Sequence, residues 1–126
     1  MPMPWAGFLS TTGTFYRSLL GGKLLRPEQL ALMRTTVPVE GEVGQIWPGI
    51  RDGLGLFSVP LSCGYWMHNG GQEGYVTETG VTEDGRRSVV VSMSAALAVG
   101  DDFMRSKGFE QERAATALVD HALCAE

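Results

Sequence analysis

The chain has 126 residues, a formal net charge of −4 and a sequence pI near 5.1. An acidic balance leaves no basic face, which excludes a nucleic-acid partner or an anionic membrane surface as the expected target. No apolar run approaches the ~18 residues of a transmembrane span, and Met1-Pro2-Met3-Pro4-Trp5 lacks the charged start and apolar core of a signal peptide.

The length predicts one domain spanning residues 1–126, able to bury roughly two thirds of its unfolded surface. With 44% hydrophobic and 19% charged residues, the composition is that of an ordinary globular chain. Seventeen glycines and six prolines exceed average usage, so turns, strands and short loops are expected rather than a helix bundle.

In chain order, Leu9-Ser10-Thr11-Thr12-Gly13 offers hydroxyl caps before a short amphipathic helix, Phe15 to Leu20, which Gly21-Gly22 stops. Pro27 suits the first turn of a second helix carrying Leu30, Leu32 and Met33, and Pro38 forbids its continuation. Val39 to Arg51 has no period and reads as a loop pinned by Ile46 and Trp47. Leu54 to Pro60 is a strand candidate, Ser62-Cys63-Gly64 a turn, and Tyr65 to His68 the returning strand. Gly74 to Val81 partly alternates, and Glu83-Asp84-Gly85 signals a hairpin turn. Arg86 to Met93 is the most strongly β run, its two arginines expected to stay in solvent. Asp101-Asp102 can cap a final helix that Gly108 interrupts early, with Ala115, Leu118, Val119 and Ala122 as one apolar stripe. Helices, then an antiparallel meander, then a closing helix make an α+β fold: helices packed on one antiparallel sheet.

The central stretch runs from Tyr65 through His68, Asn69, Gly70 and Gly71 to Gly74-Tyr75. It reads as a strand entering a glycine-rich bend, where glycines permit positive φ and close approach of another group. His68 at the lip of that bend is the side chain suited to proton transfer or oxyanion binding near neutral pH. Taken alone, it reads first as a hairpin-edge histidine bonded to a nearby backbone carbonyl, and only second as a site residue. His121 is expected to be structural, its cation complementing the dipole at a helix C-terminus. Trp47, Trp66 and Phe57 are expected in the core or a cleft wall. Cys63 and Cys124, with His68 and His121, supply four donors but lack the paired short spacings of a zinc site, so no metal and no other cofactor is expected. From the residues alone the two cysteines are either bonded to each other or buried thiols.

Four stretches in order resemble the C-terminal part of the serine β-lactamase and D-alanyl-D-alanine carboxypeptidase family, closest to class C-like, penicillin-recognising enzymes and esterases. These are Ala6 to Leu25, Pro27 to Met33, Asp52-Gly53-Leu54-Gly55-Leu56, and His68-Asn69-Gly70-Gly71 with Gly74-Tyr75. The last resembles the family's third motif, written Lys-Thr-Gly or His-x-Gly. The resemblance implies that this strand lines a cleft and pairs with an extended peptide or β-lactam. His68 would then hold the substrate carboxylate and tune proton transfer. Asn69 would offer a polar contact, Gly70 close approach, and Gly71 an oxyanion-hole N–H. It also implies a Cys63–Cys124 disulfide, because related secreted carboxypeptidases tie this hairpin to the C-terminal helix. The family is usually secreted, periplasmic or in the cell envelope.

The family's nucleophile motif is Ser-x-x-Lys, followed by Tyr-x-Asn. Neither occurs in this sequence; Ser10 and Ser62, the serines nearest a nucleophile's role, have no base at motif spacing. In family order both motifs would precede residue 1. Three expectations follow. The chain is the C-terminal portion of a serine hydrolase acting on D-Ala-D-Ala-type peptides, β-lactams or small esters, and associates with a missing N-terminal half. Alternatively, it is a pseudoenzyme that binds without acylating. Alternatively, it is a truncated fragment that hides an open sheet edge by homo-oligomerisation.

Overall fold

The computed structural model describes residues 4–41, 43–60, 62–72, 74–94 and 107–125. The elements are α1 (Pro4–Leu20), α2 (Pro27–Met33), β1 (Val37–Pro38), α3 (Val43–Ile46), β2 (Arg51–Asp52), β3 (Phe57–Val59), β4 (Tyr65–Met67), β5 (Asn69–Gln72), β6 (Tyr75–Val81), β7 (Ser88–Met93) and α4 (Lys107–Cys124). All strand pairs are antiparallel, and successive strands pair with each other except β4 and β5, which both pair with β6. This is the expected α+β meander with flanking helices.

Side-chain alternation along β4 divides the core into two layers. Tyr65 and Met67 pack with Val59, Trp47 and Ile50 beneath Val119 and Leu123 of α4. Trp66 points the other way, into a cluster with Leu56, Val81 and Leu19 and Leu20 of α1. β4 is therefore buried on both faces, which is why Tyr-Trp-Met reads as a continuous apolar run.

Several expectations need correction. α1 starts at Pro4, not after a cap at residues 9–13. Pro4 suits a first helical turn, and Ser10 to Gly13 lie mid-helix, where the Thr14 hydroxyl bonds back to the Ser10 carbonyl at 3.1 Å. Gly13 is where β7 approaches: a Cβ there would meet Ser88 Oγ at 3.1 Å. The Gly21-Gly22 stop is as read, with Lys23 N–H reaching Ser18 O at 2.9 Å and Gly22 at φ +80. The loop from Val39 to Arg51 contains one helical turn, α3, and leaves and re-enters the sheet through β1 and β2. Strand Leu54–Pro60 shortens to β3, because Leu54 N–H bonds Met33 O and Gly53 N–H bonds Leu56 O, making residues 53–56 a turn.

On α4 the stripe is rotated. Ala115, Thr116, Val119 and Leu123 are buried, while Leu118 is 52% exposed. The polar Thr116 belongs inside because it accepts the Trp47 indole N–H at 2.6 Å. Gly108 sits buried in the first turn rather than interrupting the helix. The Asp101-Asp102 cap lies outside the described residues. Arg87 is not merely solvated: its guanidinium donates to the carbonyls of Ala122 and Ala125, capping the end of α4.

Candidate functional site

One register runs through β4 and β5: Trp66 faces Val81, Asn69 faces Glu78, and Gln72 faces Tyr75. The two are halves of a single arm, interrupted at His68. There the ladder is replaced by the hydroxyl of Thr79, which accepts from His68 N–H at 3.2 Å and donates to His68 O at 2.5 Å. The glycine-rich segment is thus a strand, and the bend falls later. Among the described residues of the bend only Gly74 has a positive φ, +77. Gly70 and Gly71 are extended members of β5.

That correction sharpens the question of why residues 70 and 71 are glycine. Their φ does not require it, and a Cβ on Gly70 would meet nothing within 4 Å. On Gly71 it would make only ordinary contact with Tyr75 O at 3.9 Å. Glycine weakens a strand by conformational entropy, so nothing in the described chain accounts for the pair. Among the described residues β5 pairs with β6 alone, and Gly70 and Gly71 are exposed. Nothing among the described residues pairs with the second edge of β5.

His68 sits exposed at the head of this edge. Its Nδ1 lies 2.7 Å from Asn69 O, a group that only accepts. The proton on Nδ1 is therefore assigned by that partner, and Nε2 is the ring nitrogen left for other contacts. The Phe57 ring stands 5.9 Å away, tilted at 41°. The sequence reading of a histidine bonded to a backbone carbonyl describes this geometry. It does not preclude a site role, because Nε2 stays available.

Asn69 points to the opposite face, where its Nδ2 lies 3.5 Å from Glu78 Oε1. Glu78 is buried under α4 and faces the Glu112 carboxyl. Burial first, then Glu112, push the Glu78 carboxyl up to about 9, with Asn69 opposing. The Tyr65 hydroxyl, on the same face, is raised by burial and by the charges of Asp120 and Glu78. Neither glutamate was a sequence candidate. The available signal was one acid within Tyr75-Val-Thr-Glu-Thr-Gly-Val81, in phase with Gly80, whose Cβ would collide with Val119 and Leu123.

The remaining candidates lie apart from β5. Ser62, at φ +41, donates to Asp120 Oδ2 at 2.5 Å, so its hydroxyl faces an acid rather than a histidine or lysine. Ser10 is exposed on α1, and His121 is exposed in the last turn of α4. Trp47 and Trp66 are core, and Phe57 is half-buried. Cys63 and Cys124 form a disulfide with Cα atoms 5.4 Å apart, which removes both thiols from any four-donor zinc set with His68 and His121. A cavity of about 360 Å³ beside Cys63 is lined by Thr82 to Asp84, Arg86 and Arg87, at the end of β4 away from His68.

No protein-family model matches the chain. Among solved structures it is similar to a D-stereospecific amidohydrolase from a Streptomyces species, with 33% sequence identity and a TM-score of 0.65. The match covers 90% of this chain and 29% of that protein, so the chain spans under a third of the amidohydrolase's length. At this identity, with helices packed on one antiparallel sheet, the chain has the β-lactamase/transpeptidase-like fold and is related to a serine hydrolase.

Proposed function

We propose that the open edge of β5 is the substrate-pairing edge of an acyl-transfer site acting on D-Ala-D-Ala-type peptides, β-lactams or small esters. The reaction would run through a serine that this sequence does not contain. The observation that carries the reading is Gly70-Gly71: two exposed, extended glycines that neither φ nor packing demands. Glycine there leaves room for a ligand backbone to lie flat against the strand. His68 N–H and C=O turn toward Thr79 of β6. By alternation along an antiparallel ladder, the N–H and C=O of Asn69 and Gly71 face the open edge. A donor at Gly71 would stabilise a developing oxyanion, and His68 Nε2 would meet the substrate's carboxylate or a transferring proton. The D-stereospecific activity in the matched protein's name is consistent with a substrate of this class.

With no Ser-x-x-Lys in the sequence, binding without turnover is the behaviour expected of this chain alone. The test is a backbone amide titration with an acyl-D-Ala-D-Ala peptide and, separately, a penicillin. The expected result is shifts centred on residues 68–71, abolished by Gly70→Val, with the intact mass unchanged by either penicillin or a fluorophosphonate. Shifts elsewhere, or none, would remove the assignment. A covalent adduct would show that a serine of this chain is the nucleophile. Shifts at β5 that follow protein dilution instead of ligand would make the edge a self-association surface.

A further inference from the structure

The α4 face of the sheet buries a carboxyl group that the proposed binding edge does not use. Glu78 is 1% exposed, in the middle of β6, opposite Asn69 on β5 and Val91 on β7. Its carboxyl faces that of Glu112 across the helix–sheet interface, and Asn69 Nδ2 approaches at 3.5 Å. The second Glu112 oxygen, Oε2, is buried without a partner. Two ionised carboxylates offer only acceptors, so in a buried interface neither can satisfy the other unless one carries a proton. We propose that Glu78 and Glu112 hold one proton between them at neutral pH, that this proton latches the N-terminal half of α4 onto the sheet, and that alkaline solution opens the latch.

Among the described residues, the surroundings supply no compensating cation. From β4 comes Tyr65, and from α4 come Glu112 and, through Tyr65, Asp120. β5 and β7 contain no titratable side chain, and neither does α3, which packs on α4. Arg17 of α1 lies on the other face, held by Ser88 and Thr14. On α4 itself, Arg113 stacks over the Phe109 ring, and Lys107 is exposed. Removing the shared proton would leave two acids facing each other in a buried interface, with Asn69 the one donor among the described residues. The two ends of α4 would respond differently. Its C-terminal end is tied by the Cys63–Cys124 disulfide and by Arg87. The half carrying Glu112 has no covalent tie; the Trp47–Thr116 bond joins it to the loop below and Gln111 Nε2 reaches Met93 Sδ of β7 at 3.7 Å.

The sign follows from linkage. An unfolded glutamate releases its proton near 4.5, whereas folded Glu78 keeps it to about 9. Between those values folding takes up one proton, so the folding equilibrium constant falls by about tenfold per pH unit and levels off above the upper value. The experiment is urea unfolding of the full chain from pH 5 to 10, comparing wild type with Glu78→Gln and Glu112→Gln. The ratio of wild-type to Glu78→Gln folding constants is expected to fall by about tenfold per pH unit across the window. In Glu112→Gln the fall should stop at a lower pH, because burial still acts on Glu78 while its partner does not.

The indole amide signal of Trp47 reports the latch itself, since it is bonded to α4. It should move with a midpoint near 9 in wild type and stay fixed in Glu78→Gln. Should Glu78→Gln fail to fold, carboxyl-carbon titration of the wild type decides alone. One glutamate must remain protonated at pH 7. An equal pH slope in wild type and Glu78→Gln, or every glutamate carboxyl titrating below pH 6, would overturn the proposal.

Discussion

At His68 the backbone turns from one pairing partner to the next, and a single hydroxyl fills the gap. Thr79 is 5% exposed and bonds both the N–H and the C=O of His68. Thr79→Val preserves shape and leaves both groups without that partner, at a cost of about 1–3 kcal/mol in urea unfolding. Thr79→Ser should recover most of the loss. A Thr79→Val variant as stable as wild type would mean that the hydroxyl is incidental. His68 and the two glycines stood out in the sequence because their chemistry is unusual at that spacing, although the glycines belong to a strand rather than a bend. Thr79 and Glu78 were not, because what each does depends on a partner across the register or across a layer. Thr79 in isolation is an ordinary strand residue, and an acid in a strand is ordinarily a solvent-facing one.

Between elements, the six residues from Thr82 to Arg87 join hairpin and helices. Thr82 N–H bonds Arg87 O at 3.0 Å, Gly85 N–H bonds Thr82 O at 2.9 Å, and Asp84 Oδ1 accepts Arg86 N–H at 2.9 Å. The tip then nests against the end of α1. A Cβ on Gly85, at φ +73, would stand 2.5 Å from Gly21 N and 2.7 Å from Arg17 O. Both are backbone atoms that cannot rotate away. Gly85→Ala combines left-handed strain with overpacking, so it should cost about 2 kcal/mol or more in urea unfolding. A neutral substitution would show that the tip and α1 are not in fixed contact. The turn was readable from Glu83-Asp84-Gly85, and so was the end of α1 from its glycine pair. The start of α1 was missed because Ser-Thr-Thr-Gly resembles a cap wherever it occurs. Here tertiary packing on β7 carries the helix through those residues, with Gly13 allowing the approach. The rotation of α4 has a similar origin: Thr116 looks like a surface residue until Trp47 is found beneath it.

Over the whole molecule, the disulfide joins the turn before β4 to the last residue of α4, 61 positions apart in sequence. The sheet arm that ends in His68 and the helix that covers it are thereby one covalent unit. Replacing both cysteines by serine releases a long loop in the unfolded chain, worth about 4 kcal/mol in the chain-entropy model. That is a large share of the ~5–15 kcal/mol typical of a domain. The fold should survive in low urea, since Val119, Leu123 and Arg87 still hold the C-terminal half of α4, but the unfolding midpoint should fall steeply. A midpoint unchanged by the double substitution would mean that the tie constrains little. The same variant separates the two fastenings of α4. With the disulfide intact, loss of the Glu78–Glu112 proton can free only the N-terminal half of the helix. Without it, the helix opens more easily and Glu78 gives up its proton at a lower pH, so the alkaline fall in stability should level off earlier in Cys63→Ser/Cys124→Ser than in wild type. The two effects would then be coupled in a double-mutant cycle with Glu78→Gln. Strict additivity would instead mean that the carboxyl pair and the disulfide act on independent parts of the molecule.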